Sequence, residues 1–244
     1  MKDSRKYSPK IKKLFGSLKR KSKTHQMPQY TDPVDAVVYA LVSEHVTEPV
    51  SDRIYKRMMK HFVNLNDLRV SRREEILDVF GDSFEAADNL AASISRVLNI
   101  IFEKKNTVSL AVLGQEGKRQ AHKELSEIEG ITPFAVSYCF LTAMGGHAIP
   151  LNAAMLQYLR HGQMVHPGAT DAEIAGFLER QIAAADAYNF YMLLRQETEQ
   201  TKPRSRTKSP AAKKKTVTKK TAAAKKKTAV KKKTTVKKKT VRKK

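Results

Sequence analysis

The residue types that most often carry catalysis or bind metals are sparse in this chain of 244 residues. Its one cysteine, Cys139, excludes an intramolecular disulfide, a structural zinc site of several thiolates and a cysteine-held iron–sulfur cluster within the chain. No HxxxH spacing with a carboxylate partner occurs among the histidines His61, His122, His147, His161 and His166. We therefore expect no metal site, no cofactor and a reducing compartment.

Amines are the most abundant reactive groups, and they are distributed unevenly. The chain has 47 Lys+Arg against 24 Asp+Glu, a formal net charge of +23. Residues 201–244 carry 21 Lys+Arg and no acid, and residues 1–26 carry ten Lys+Arg and the single acid Asp3. Residues 27–200 are left with a net charge of −7. Cations concentrated at both ends predict binding to a polyanion, most simply DNA through its phosphates, with RNA as an alternative partner.

The C-terminal segment repeats Lys, Thr, Val and Ala, as in AVKKKT and TVKKKT. Such a sequence cannot bury enough apolar surface to offset its ordering entropy, so we expect residues 201–244 to be a disordered, histone-like tail. The predicted phosphate contacts are the triple lysines Lys213, Lys214, Lys215, Lys225, Lys226, Lys227, Lys231, Lys232, Lys233, Lys237, Lys238 and Lys239.

The N-terminal segment, residues 1–26, is predicted to be a disordered basic arm. Its apolar residues Ile11, Leu14, Phe15 and Leu18 nevertheless have helical spacing among lysines, a pattern that also fits a helix on a membrane surface or against nucleic acid. No stretch approaches the roughly 20 apolar residues of a membrane span, and no signal-peptide run is present. We expect a cytoplasmic, nucleoid-associated protein.

Residues 27–200 read as a succession of helices. The clearest amphipathic stripe is Phe84, Ala87, Leu90, Ala91, Ile94, Val97, Leu98 and Ile101, which predicts a helix central to the core. Further helices are predicted near 34–46, 50–62, 72–80, 117–128, 133–145, 151–160, 171–183 and 185–198. Ser71-x-x-Glu74 and Thr170-x-x-Glu173 are typical of capping boxes. The segment Thr107–Leu113 fits a short strand or a buried linker.

The stretch Ile128–Leu159, IEGITPFAVSYCFLTAMGGHAIPLNAAMLQYL, predicts a helical hairpin. A helix ends at Gly130, a two-residue turn follows, and Pro133 begins a new helix. Gly145 and Gly146 end that helix, and Pro150 begins the next. The pattern is a tight helix-hairpin-helix.

This stretch resembles the helix-hairpin-helix DNA glycosylases of the endonuclease III family. The family's hairpin L-P-G-V-G-x-K-T-A corresponds to Ile128–Val136, and its V-D-T-H corresponds to Leu151–Ala154. Asp32–Met58 is similar to the family's opening P-F-x-x-L-x-x-x-x-L-S-x-Q-x-T-D and the helix that follows. The resemblance spans about residues 30–198. It implies an all-α, bilobed endonuclease III-like domain over 27–200, between the basic extensions 1–26 and 201–244.

Both catalytic positions of the family are changed. In bifunctional members the hairpin lysine attacks the sugar C1′, and the acid of V-D-T-H assists proton transfer and stabilises positive charge. By this alignment the lysine position is Phe134 and the aspartate position is Asn152. A phenyl ring has no lone pair for a Schiff base, and a carboxamide is neither charged nor usefully basic. The family's four-cysteine cluster loop has no counterpart either.

The family's DNA contacts are kept in part. Backbone N–H groups of the hairpin residues Gly130, Ile131 and Thr132, with the next helix N-terminus, suit one phosphate, although Pro133 removes a donor. His45 stands where the family carries a glutamine that fills the space of an extruded base; a role for it there competes with that of an ordinary surface histidine.

Three functions are compatible with these residues. The first is a non-catalytic or weakly catalytic DNA-binding protein. The second is an active base-excision-repair DNA glycosylase or abasic-site lyase with relocated groups, in which Lys118 or Lys123 supplies the amine and Glu127 or Glu129 the carboxylate. The third is an RNA- or ribosome-binding protein, for which no aromatic base-stacking platform is evident in the sequence.

Overall fold

The computed structural model describes residues 1–22, 24–81 and 84–201, in which it contains α-helices, two short 3-10 turns and no β-strand. The prediction of an all-α fold is confirmed. The chain divides into Met1–Arg204 and Ser205–Lys244, and the predicted Lys-rich tail lies outside the described residues. The helices are α1 (Ser4–Lys21), α2 (Pro33–His45), α3 (Glu48–His61), α4 (Leu65–Val70), α5 (Arg73–Phe80), α6 (Ala87–Lys105), α7 (Lys118–Ser126), α8 (Pro133–Thr142), α9 (Ala153–His161), α10 (Asp171–Gln181) and α11 (Ala187–Thr201).

Helices α2 and α8 form the centre of the core. They pack against each other, and α2 also contacts α3 and α6. Both helices are buried almost all round: in α2 only Asp35, Tyr39, Glu44 and His45 are not fully buried. A helix enclosed on nearly every side needs no polar face, which explains why these two segments are mainly apolar rather than amphipathic.

Asp32 determines where α2 begins. One of its carboxylate oxygens accepts hydrogen bonds of 2.9 Å from the N–H groups of Val34 and Leu110, and the other accepts from the Ser109 hydroxyl. The cap therefore also holds the segment Thr107–Leu113, for which the sequence allowed either a short strand or a buried linker. Residues 107–110 lead into the 3-10 turn Ala111–Gln115, so the segment is a linker and not a strand. Leu110 and Leu113 are buried, whereas Thr107, Ala111 and Val112 are exposed, so the linker is buried only in part.

Helix α6 confirms the amphipathic stripe predicted for it. Leu90, Ala91, Ile94, Val97, Leu98 and Ile101 are buried, and Phe84 and Ala87 pack at the edge of the core. The capping box of Thr170 and Glu173 is also confirmed at the start of α10. The capping box proposed for Ser71 and Glu74 is wrong. Ser71 instead follows α4, a helix not anticipated, and its hydroxyl donates to the Asp67 carbonyl at 2.8 Å, which leaves Arg72 at the cap of α5.

The N-terminal segment is not a disordered arm: residues Ser4–Lys21 form α1, which packs against α10 and α11. The reason is its apolar stripe, of which Ile11 is 0% exposed, and the Phe15 ring meets the Phe190 ring edge-on at 5.3 Å. Burial of each such side chain contributes about 1.5–3 kcal/mol, which outweighs the repulsion of the cations around it. No described helix is long and apolar enough to cross a membrane.

A buried guanidinium joins the C-terminal helix to the corner between α2 and α3. Arg195 is 1% exposed, and its nitrogens donate to the carbonyls of Ser43 and Val46, each at 2.8 Å, and to the Ser43 hydroxyl. Glu199 accepts from Arg195 Nε at 2.7 Å and from the Glu48 N–H, at the start of α3, at 3.0 Å. The buried charge is therefore fully partnered, and α11 is held against two helices that are distant in sequence.

Burial opposes the charge of Arg195, but Tyr191 and Glu199 more than compensate and hold the pKa of the guanidinium above its ordinary value. The Tyr191 hydroxyl accepts from the same guanidinium at 2.8 Å. Arg195 thus also positions the Tyr191 ring.

Replacing Ile11 by Ala should destabilise the protein by about 2–5 kcal/mol, because it removes a fully buried side chain and leaves a cavity. The measurement is urea unfolding of the full chain. The neighbouring exposed substitution Lys12→Ala should change the unfolding free energy by no more than about 0.5 kcal/mol. Equal, negligible effects of the two substitutions would show that α1 does not dock.

Replacing Arg195 by Met should cost about 3–5 kcal/mol, because it leaves buried carbonyl and carboxylate groups without their donor. The control is Arg96→Met, since Arg96 forms an exposed ion pair with Glu129 and such pairs are worth about 0–1 kcal/mol. Thermal unfolding of both variants distinguishes them. Similar melting temperatures would contradict the role assigned to Arg195.

Candidate nucleic-acid interface

The helical hairpin lies between α7 and α8. α7 ends at Ser126, earlier than the sequence indicated, and α8 begins at Pro133 as expected. Gly130 has φ = 89°, a left-handed conformation that favours glycine, and an added Cβ would lie 3.2 Å from a Val97 methyl group. The Ile131 N–H donates to the Ile128 carbonyl at 3.3 Å and closes the turn. A turn is therefore present at Gly130, but the predicted two-residue connection is wrong, because residues 127–132 separate α7 from α8.

Several backbone N–H groups of the hairpin make no hydrogen bond within the described residues. The N–H groups of Gly130, Thr132 and Phe134 have no acceptor within the part of the chain that the structure describes. Free N–H groups at a turn and a helix N-terminus form a local positive potential that attracts an anion. Gly130 is exposed and Thr132 half-buried, so an approaching phosphate can reach this turn.

A carboxylate lies beside this turn and weakens its attraction for anions. The Thr132 hydroxyl caps α8 by accepting from the Ala135 N–H at 3.1 Å and donates to Glu44 at 2.6 Å. The same contact brings the C-terminal end of α2 to the hairpin, including the exposed His45. The contact with the hairpin is thus made by Glu44, the residue before His45, and its negative charge opposes a bound phosphate.

Phe134 is enclosed by other aromatic rings. It is 2% exposed, its ring stacks on Tyr138 at 6.3 Å between centroids, and Tyr191 lies at 6.2 Å. Tyr138 also stacks on Tyr39 at 5.5 Å and shares a hydrogen bond of 2.9 Å with the Tyr30 hydroxyl. A nucleoside brought to Phe134 would have to displace these side chains.

The tyrosines of this aromatic cluster were not anticipated from the sequence. Only Phe134 and Tyr138 are one helical turn apart; Tyr30, Tyr39 and Tyr191 join them through the tertiary fold. Burial raises the pKa of the Tyr138, Tyr39 and Tyr30 hydroxyls. These phenols stay protonated at neutral pH and serve as hydrogen-bonding groups of a packed interior, not as bases.

Asn152 caps α9. Its side-chain oxygen accepts from the Met155 N–H at 3.0 Å, and the residue is 9% exposed. α9 consequently begins after Asn152 rather than at Pro150. The carboxamide has a structural role at this position, and no hydrogen bond or ring contact joins it to Phe134 among the described residues.

The amines and carboxylates considered as relocated catalytic groups are exposed and form three separate contacts. Lys118 donates to the Gly145 carbonyl, beyond the C-terminal end of α8, whereas Phe134 lies at its N-terminal end, about 15 Å away along ten residues of helix. Lys123 pairs with Glu127 at 3.9 Å, and both are exposed. Glu129 pairs with Arg96 on the surface.

The other reactive groups are buried or scattered. Cys139 is buried, its thiol donates to the Pro33 carbonyl at 3.3 Å, and burial raises the pKa of the thiol. The described residues contain no group of three His, Cys, Asp or Glu side chains close enough to hold a metal ion. The lysines of the tail, Lys213–Lys239, lie outside the described residues.

The fold is shared with DNA-repair glycosylases of known structure, although no protein-family model and no curated protein sequence matches the chain. A non-covalent endonuclease III–DNA complex matches with a TM-score of 0.61 at 15% identity, over 77% of this chain and 84% of that one. The Clostridium acetobutylicum 8-oxoguanine glycosylase/lyase bound to duplex DNA matches with a TM-score of 0.61 at 12% identity, over 82% of this chain and 71% of that one. The Helicobacter pylori 3-methyladenine DNA glycosylase matches with a TM-score of 0.58 at 13% identity, over 82% of this chain and 99% of that one. The chain therefore has the fold of the helix-hairpin-helix DNA glycosylases, the structural class that includes endonuclease III.

Proposed function

We propose that this protein is a non-catalytic DNA-binding protein built on a glycosylase scaffold and anchored to duplex DNA by its Lys-rich tail. The observation that carries the proposal is the enclosure of Phe134. At the position of the family's nucleophilic lysine, a ring without a lone pair is packed between Tyr138 and Tyr191. Asn152, at the position of the family's acid, is committed to capping α9. Neither nucleophile nor acid is supplied where the fold would use them.

The affinity for DNA is assigned mainly to the tail. The hairpin works against the negative charge of Glu44, and residues 27–200, which include it, carry a net charge of −7 that the cations of α1 offset on another part of the body. Residues 201–244 carry 21 cations and no acid. The hairpin N–H groups then position one phosphate, and the tail supplies sequence-independent affinity. No iron–sulfur cluster or other cofactor is required for this role.

The tail should give a steep dependence of duplex DNA affinity on salt. Replacing the twelve lysines of its triple-lysine repeats by Gln should lower the slope of log K against log [salt] by about 0.9 for every lost phosphate contact. The matched control replaces the same lysines by Arg, which keeps the charge and should keep the slope. A Gln variant that binds with an unchanged slope would contradict the anchoring role. Competition between duplex DNA and structured RNA tests the alternative that RNA is the preferred partner.

The protein should form no covalent adduct with duplex DNA that contains an abasic site when borohydride is present, because no amine lies at the catalytic position. Denaturing electrophoresis measures the adduct, with an endonuclease III enzyme as positive control. Base release from duplexes with damaged bases should likewise remain at the level of a blank. An adduct that disappears in Lys118→Gln or Lys123→Gln would instead establish a lyase with a relocated amine.

A further inference from the structure

Helix α1 carries cations in pairs at regular intervals. The pairs are Arg5-Lys6, Lys12-Lys13 and Lys19-Arg20, which recur every seven residues. Seven residues are nearly two turns, so the pairs follow one side of the helix about 10.5 Å apart. Pro9 and Gly16 lie between the pairs, and a Cβ added at Gly16 would meet nothing within 4 Å. The three pairs therefore form a row about 21 Å long, in which Lys19 is paired with an acid of the body, Asp186.

The cations of α1 divide into those that hold the helix to the body and those that do not. Lys10 donates to the Gln163 carbonyl at 2.7 Å, Lys19 pairs with Asp186 at 2.8 Å, and Lys21 pairs with Glu197 at 2.9 Å. These three flank the buried stripe. The cations on the outer side have no acidic partner in the described chain: Arg5, Lys6, Lys12, Lys13 and Arg20.

This outer side also lacks neutralising charge in the sequence, since no acid occurs between Asp3 and Asp32. Five cations without a partner, on a helix of 18 residues, form a concentrated positive surface. Such a surface favours a polyanion, and a solvated helix face ordinarily mixes the two signs of charge.

The apolar side of α1 is not available to a lipid bilayer. Ile11 is 0% and Leu18 3% exposed, and both belong to the core shared with α10 and α11. Membrane-surface helices bind by inserting their apolar face among lipid chains. Because the apolar side of α1 is buried in the core, only its cationic side can contact a partner. Phosphate groups can bind that side without insertion of the helix into a bilayer.

We propose that the outer face of α1, formed by Arg5, Lys6, Lys12, Lys13 and Arg20, is a second DNA-binding surface that contacts the phosphates of duplex DNA. This surface is distinct from the hairpin and from the tail. The inference rests on the proposed function, because both name DNA as the partner. Duplex DNA presents one negative charge per about 1.7 Å of axis, so a row of 21 Å faces more phosphates than it has cations. The contacts need no base sequence.

The consequence is a division of labour between the two cationic ends. The tail adds affinity, whereas α1 is fixed to the folded body through Ile11, Leu18 and the three flanking lysines. Cations held at fixed positions on a folded surface lose little conformational entropy on binding, and they set the orientation of the body on the duplex.

The test compares two triple variants of the full chain, each losing two lysines and one arginine. Lys12→Gln/Lys13→Gln/Arg20→Gln removes cations from the outer face of α1. The control, Arg53→Gln/Lys56→Gln/Lys60→Gln, removes exposed cations from α3 that likewise have no acidic partner among the described residues. Both variants keep the tail, and all substituted side chains are exposed, so both should retain the wild-type melting temperature within a few degrees.

Duplex DNA affinity is measured against salt concentration. The α1 variant should lower the slope of log K against log [salt] by about 2–3, or about 0.9 per lost phosphate contact, and the α3 control by less than about 1. Equal decreases in both variants, or no decrease in either, overturn the proposal. A wild-type chain that does not bind duplex DNA overturns the proposed function itself. Loss of binding to phosphatidylserine vesicles by the α1 variant, with unchanged DNA binding, would assign the surface to a membrane instead.

Discussion

The buried guanidinium of Arg195 is the interaction on which the other features of the body depend. A charge that is 1% exposed is tolerable only when every donor is used, and here the donors reach Ser43, Val46, Tyr191 and Glu199. Those partners belong to the α2–α3 corner and to α11 itself. The guanidinium therefore holds α11 in the position from which Tyr191 closes over Phe134 and Phe190 supports α1.

The same packing determines what the side chains do at the two positions where the glycosylase pattern is changed. A catalytic lysine in an interior must be kept partly unpaired and close to solvent, which costs stability. Phe134 and the tyrosines around it fill that space with rings whose hydroxyls are hydrogen-bonded, and Asn152 contributes a helix cap. Phe134 therefore contributes to the core, and Asn152 to the start of α9.

Much of the architecture was accessible from local patterns. The stripe of α6, the capping box at Thr170 and the left-handed turn at Gly130 depend on residues within a few positions of one another, and each is present. Two incorrect predictions have a common origin. The charge of α1 predicts disorder only when its partners in α10 and α11 are left out, and Ser71 resembles an N-cap only when the preceding helix α4 is left out.

The sequence by itself determined the helical class, the separation of charge between the body and its ends, and the side chains at the two positions where the glycosylase pattern is changed. These are properties of composition and of short-range spacing. Only the tertiary structure decided what the side chains do. The enclosure of Phe134 requires Tyr191, the docking of α1 requires Phe190, and the Ser43–Arg195 contact joins residues 152 positions apart. Burial depends on which distant surfaces meet, and no local periodicity encodes that choice.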